Sequence, residues 1–116
     1  MHGRIKAAPD APSEAIFEGR ERVLGMYQAA TRIYEDGSPH TLHVTTNAII
    51  EVDDEAGVAT ARSYYSVLQQ TESLPLQEII AGHYHDSFQR IDGKWWFDTR
   101  IMFVDQMGDL SHHLLY

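Results

Sequence analysis

The 116-residue chain contains no cysteine. That removes disulfides, thiolate metal sites and cysteine nucleophiles together, and it agrees with an intracellular setting. Basic residues are also scarce: nine Lys and Arg stand against seventeen Asp and Glu, a net charge of −8. Such a chain repels phosphate backbones and anionic bilayers, so neither nucleic acid nor a membrane surface is an expected partner. No apolar run reaches membrane-spanning length, and the N-terminus "MHGRIKAAPDAPSEAIF" has no signal-like apolar stretch, so the expected location is cytoplasmic. Phosphate loops, Gly-x-Gly-x-x-Gly and the Gly-x-Ser-x-Gly elbow are missing too, which leaves nucleotide cofactors without support.

What is present fits one folded domain over residues 1–116, with 43% hydrophobic and 22% charged residues. The segment "KAAPDAPSE" (6–14) reads as a loop. Val23, Leu24, Tyr27, Ala30 and Tyr34 recur at helical spacing, which predicts one amphipathic helix over 20–34, stopped by Asp36-Gly37-Ser38-Pro39. From residue 43 the period becomes two. Val44, Thr46, Ala48, Ile50 and Val52 alternate with His43, Thr45, Asn47, Ile49 and Glu51, predicting a strand over 43–52 with one apolar and one mostly polar face.

After the turn "DDEAG", a second strand is expected in "VATARSYYSVLQQ" and a third in "LQEIIAGHYHDSFQRI". Asp92-Gly93 is the dipeptide of a two-residue hairpin turn, returning the chain as "KWWFDTRIMFV". The tail "DQMGDLSHHLLY" carries no clear pattern. The expected architecture is α+β: a curved antiparallel meander packed against a single helix. One helix of this length cannot cover so apolar a sheet, which anticipates an exposed concave face and a homodimer or higher homo-oligomer.

Seven histidines supply the candidate chemistry. His83-x-His85 places both rings on one strand face and, with His40-x-x-His43, raises a metal site; no third ligand follows at a recognisable spacing, and none is expected. His43 as a general base needs an orienting carboxylate, and its same-face neighbours Thr45 and Asn47 are polar. That face either lines a pocket or is simply wet. Tyr84 and Asp86 share one face of the third strand, opposite His83 and His85. Arg100, inside an apolar stretch, calls for a carboxylate partner, either Asp86 or Asp98. Trp95 and Trp96 face opposite ways, so at most one lines a cavity.

Three stretches, "LHVTTNAIIEVDDEAGVATARSYYSVLQ", "IIAGHYHDSFQRIDGKWWFDTRIMF" and "DLSHHLL", together resemble the SnoaL-like branch of the nuclear transport factor 2-like superfamily. The resemblance implies a cone of curved sheet and helices around an apolar pocket, with relatives that include polyketide cyclases, scytalone dehydratase, ketosteroid isomerase and hexachlorocyclohexane dehydrochlorinase. It implies proton transfer without metal or organic cofactor on a small hydrophobic molecule. The family's strand histidine matches His43, and its pocket-facing hairpin positions match Tyr84 and Arg100, with Asp86 beside them. Tyr65, Trp96, Asn47 and Met102 are the expected pocket residues.

Two departures accompany the resemblance. The chain opens at what looks like the family's first strand, so the usual N-terminal helices, with the aspartate that pairs the histidine, are not seen. Leu68 stands where scytalone dehydratase has a second histidine. Three functions therefore compete: a lyase, isomerase or cyclase, a non-catalytic binding module, or a structural subunit like the small chain of a ring-hydroxylating dioxygenase.

Overall fold

The computed structural model describes residues 2–6 and 15–115, with side chains from residue 18 onward; most of the loop expected over 6–14 lies outside the described residues. Six strands form one sheet in the order β2-β1-β6-β5-β4-β3. The long strands β3 (Thr41–Asp53), β4 (Val58–Gln69), β5 (Gln77–Ile91) and β6 (Lys94–Met107) make the expected antiparallel meander. β1 (His2–Lys6) adds to β6 in parallel, and β2 (Ala15–Glu18) pairs antiparallel with β1. A four-residue strand with no alternation to reveal it was not expected at β2.

The hairpin dipeptide behaves as its chemistry requires. Asp92 (φ 51°) and Gly93 (φ 79°) both take left-handed backbone, the combination whose twist matches the flanking strands. The helix α1 (Arg20–Ala30) stops four residues short of the expected end. Thr31 turns extended there and bridges to Leu114, while Arg32 N–H donates to His113 O at 2.7 Å and Leu115 N–H to Ala30 O at 2.9 Å. The C-terminal tail thus captures the backbone that helical periodicity assigned to α1.

A β-bulge corrects the reading of β3. Thr46 pairs with Tyr64 and Ile49 with Arg62, so two residues of β3 oppose one of β4, and Asn47 takes φ 55° to make the insertion. The bulge reverses the alternation. His43 and Thr45, beside Val67 and Tyr65, come to share a face with Ile50 and Val52, beside Ala61 and Ala59. The simple division into an apolar and a polar face therefore holds on each side of Asn47 but not across it.

One face of the meander carries the core: Tyr65, Val67, Ile79 and Tyr84, closed at one end by Leu74 and flanked by Ile80, Met102 and Leu110. Tyr65 lies across Gly82, and its hydroxyl donates to Phe103 O at 3.0 Å, tying β4 to β6 over the intervening strand. The far end of this inner face is open among the described residues. Among them the backbone of α1 packs on β1 and β2, and its Tyr27 phenol reaches the vicinity of Tyr65, Tyr84 and Arg100. Ile50 and Val52, at the far end of β3, remain 65% and 56% exposed.

Candidate functional site

The inner face brings together most of the expected residues. Tyr84, Asp86 and Arg100 form its centre, because Tyr84 pairs with Met102 and Asp86 with Arg100 across β5 and β6. Of the two candidate partners for Arg100, the structure selects Asp86. Arg100 Nε donates to Asp86 Oδ1 at 2.8 Å and Nη2 to Oδ2 at 3.0 Å, a two-point pair that leaves Nη1 without a hydrogen bond among the described residues. The Asp86 side chain is 4% exposed against 27% for Arg100, so the carboxylate is the anchor and the guanidinium reaches toward the open side. Arg100 also lies over the Tyr84 ring at 3.8 Å and over Phe97 at 4.9 Å.

The two core tyrosines differ in what their hydroxyls can do. Tyr65 stacks on Tyr84 with centroids 4.4 Å apart, but its hydroxyl is committed to Phe103 O, so it is a wall and not a recognising group. The Tyr84 hydroxyl has no hydrogen-bond partner among the described residues. Burial pushes both phenols up, and this outweighs the opposing pull of Arg100 on Tyr84. Tyr84 therefore stays a neutral donor at ordinary pH.

His43 sits at the far corner of the same face. Its pKa is lowered by the desolvation of its partly covered ring, although the residue as a whole is exposed. Among the described residues its ring has no hydrogen bond and no carboxylate partner. Asp86 cannot serve: it is held by Arg100, and β4 runs between it and β3. By register, His43 and Tyr84 are two strands and four residues apart, roughly 16 Å between Cα atoms.

Other expected residues stand elsewhere. Met102 packs against the core on the inner face. Asn47, at the bulge, lines a cavity of about 410 Å³ with Arg62, Tyr64, His83 and His85 of the opposite face. A second cavity of about 430 Å³ adjoins it, sharing Ile49, Arg62 and His85. Trp96 pairs with Gln89, while Phe97 pairs with Phe88 and Trp95 with Arg90. A second bulge at Asp98 makes this difference: the register slips between Ser87 and Phe88, and it is Phe97 and Trp95, not Trp96, that continue the Arg100 face. His40, at φ 56°, is a turn residue holding Asp36 at 3.1 Å.

Among the described residues the closest His–carboxylate pair is not at His43. His83 Nδ1 lies 2.6 Å from Asp105 Oδ2 on the opposite face, its ring stacked on Phe103. No group of three or more His, Asp or Glu among the described residues is placed to hold a metal ion. No helix among them is long and apolar enough to cross a membrane.

A stability consequence follows from the histidines. Burial is the largest cause lowering the pKa of His43, His85 and His113, reinforced for His85 by Arg62 and for His113 by His43. The unfolded chain, with ordinary values near 6.5, then binds protons that the folded chain resists. Their contribution to stability is complete above that value and is lost as the pH falls through it toward the lower folded values. Urea midpoints measured from about pH 7.5 down to about pH 5.5 are expected to fall, and to fall less steeply in His113→Leu.

Comparison with known proteins agrees with this fold. A model of the SnoaL-like domain matches residues 2–101. No curated protein matches the chain. Among solved structures, a protein of unknown function with a cystatin-like fold from Nostoc punctiforme is 25% identical, with a TM-score of 0.60 over 89% of this chain and 68% of that one. The beta subunit of a putative aromatic-ring-hydroxylating dioxygenase from Novosphingobium aromaticivorans is 17% identical, with a TM-score of 0.66 over 92% and 70%. A nuclear transport factor 2-like protein with a cystatin-like fold, from the same organism, is 18% identical with a TM-score of 0.60 over 88% and 61%. At those two identities the likeness carries the fold alone. The match over residues 2–101, with the curved meander and helix of the fold, shows the family: the chain belongs to the SnoaL-like domain family, with a nuclear transport factor 2-like fold.

Proposed function

We propose that the inner face binds a small hydrophobic ring compound bearing a carbonyl or hydroxyl group, and that His43 exchanges a proton with it without any cofactor. One observation supports this most: among the described residues the Tyr84 hydroxyl and Arg100 Nη1 are uncommitted donors on the same face as an uncommitted imidazole whose pKa is lowered. A carbonyl oxygen held by Tyr84 and Arg100 would gain negative charge as the proton leaves, and both donors stand ready for it. The Tyr84 and His43 side chains each reach several Å inward from Cα atoms roughly 16 Å apart, and a small ligand of one or two fused rings fits between them with its carbonyl and the adjoining carbon in that gap.

2-Tetralone has that size, a carbonyl and acidic hydrogens beside it. Exchange of those hydrogens for deuterium in D₂O, followed by proton NMR, tests the proposal. His43→Ala is expected to slow protein-dependent exchange by about 100-fold or more. Exchange equally fast in that variant would remove His43 from the reaction.

A second reading is a binding module that transforms nothing. It is favoured by the lack of a carboxylate on His43 among the described residues, since an unsupported imidazole is a weak base. Under that reading 2-tetralone stabilises the fold and does not exchange.

A further inference from the structure

Four side-chain polar atoms are buried without a partner among the described residues: Arg32 Nε, Gln69 Oε1, Thr71 Oγ1 and His113 Nδ1. Three of them belong to one place. Gln69 Nε2 donates to His112 O at 3.1 Å, Arg32 N–H donates to His113 O at 2.7 Å, and Arg32 Nη2 donates to Leu114 O at 3.3 Å. The tail is fastened there further, by the Tyr34 hydroxyl donating to His112 O and by His113 N–H donating to Leu110 O at 3.1 Å. Buried polar groups are nearly always paired, so several unpaired ones around one strap point to something that completes them.

That place adjoins His43. Gln69 pairs with Thr41, and Val67, the next inner-face residue of β4, pairs with His43. The strap crosses the inner face one step from His43, and the two imidazoles are close enough for His43 to depress His113. Arg32 adds a cation at the same spot.

We infer that the C-terminal segment delivers His113 as a second imidazole of this site, and that His43 and His113 together hold the acidic oxygen of a phenol- or enol-type ligand. Both rings begin neutral, each with one N–H and one bare nitrogen. The ligand's O–H proton passes to the bare nitrogen of one ring, and the other ring donates its N–H to the oxyanion left behind. The products are an imidazolium and a phenolate, beside the Arg32 guanidinium. This gives His43 a partner of a different kind from a carboxylate. It rests on the proposed reading of the inner face as the ligand site.

The probe is p-nitrophenol, whose visible absorbance appears only in the ionised form. At mildly acidic pH the wild-type protein is expected to bind it and raise the phenolate absorbance. His43→Ala and His113→Leu are each expected to weaken binding about tenfold and abolish that absorbance. Removing an unpartnered buried nitrogen is expected to leave the melting temperature of His113→Leu unchanged or higher, so that lost binding in this variant is not lost folding. Should that variant fold poorly, His113→Gln carries the same expectation. Binding and absorbance lost in His43→Ala but kept in both His113 variants would overturn the role of His113 and leave the inner-face reading intact. Binding unchanged in every variant, or no binding by the wild type, would overturn both. Binding without phenolate would overturn the proton transfer.

Discussion

Replacing Gly82 with alanine is expected to remove about 3 kcal/mol or more of folding stability, a large share of what a domain of this size has. A Cβ there would stand 1.8 Å from Phe103 O, 2.7 Å from the Tyr65 hydroxyl oxygen and 2.9 Å from Tyr65 Cζ. The Tyr65 ring occupies the space over β5 that a side chain would fill, and its hydroxyl binds the very carbonyl that the methyl would strike. Urea unfolding is the measurement. Trimming the ring does not rescue the variant on this account, because the nearest obstacle is backbone: Gly82→Ala with Tyr65→Leu is expected to be no more stable than Gly82→Ala alone. Recovery in the double variant would mean that the ring, and not the strand, is the constraint.

The second large effect concerns Asp86. Its carboxylate is almost fully buried and its visible partner is Arg100. Asp86→Ala is expected to cost about 3 to 5 kcal/mol, because it strands a partly buried guanidinium over Tyr84 and Phe97. Removing both charges, as Asp86→Ala with Arg100→Met, is expected to recover most of that loss, since an apolar replacement has no charge to desolvate. A double variant as unstable as the single one would show that Asp86 holds the sheet by some contact other than the ion pair. Within the proposed chemistry Asp86 positions Arg100 and touches no ligand.

Several of these features could be read before any coordinates. Asp92-Gly93 announced its turn because few residue pairs accept two left-handed positions in succession. The split of Tyr84 and Asp86 from His83 and His85 followed from strict alternation, and β5 keeps that alternation where they lie. Arg100 called for a carboxylate, though choosing between Asp86 and Asp98 required the register. Where alternation breaks, the reading failed. Asn47 and Asp98 are both inserted residues, and each moved a whole run of side chains to the other face. An asparagine inside a β-branched run was the available signal, since Asn tolerates positive φ better than its neighbours do.

The tail was harder for a different reason. Its pairing partner, Thr31, lies 83 residues earlier, and no local pattern in "DLSHHLL" encodes that contact. The same contact ends α1 at Ala30, so the shortened helix and the placement of His113 are one long-range event. The missing carboxylate at His43 was legible from the sequence as a gap, and the structure leaves that gap among the described residues, with His113 near enough for His43 to lower its pKa.

The most direct measurement of the central claim is the rate of 2-tetralone hydrogen exchange as a function of pH, relative to protein-free buffer. With His43 as the base, the protein-dependent rate should be level in neutral solution and decline on acidification only below pH 6.5, the ordinary histidine value, because burial depresses this one. His43→Ala should lose both the rate and the inflection. A wild-type rate no different from buffer, or an inflection that survives in His43→Ala, would contradict it.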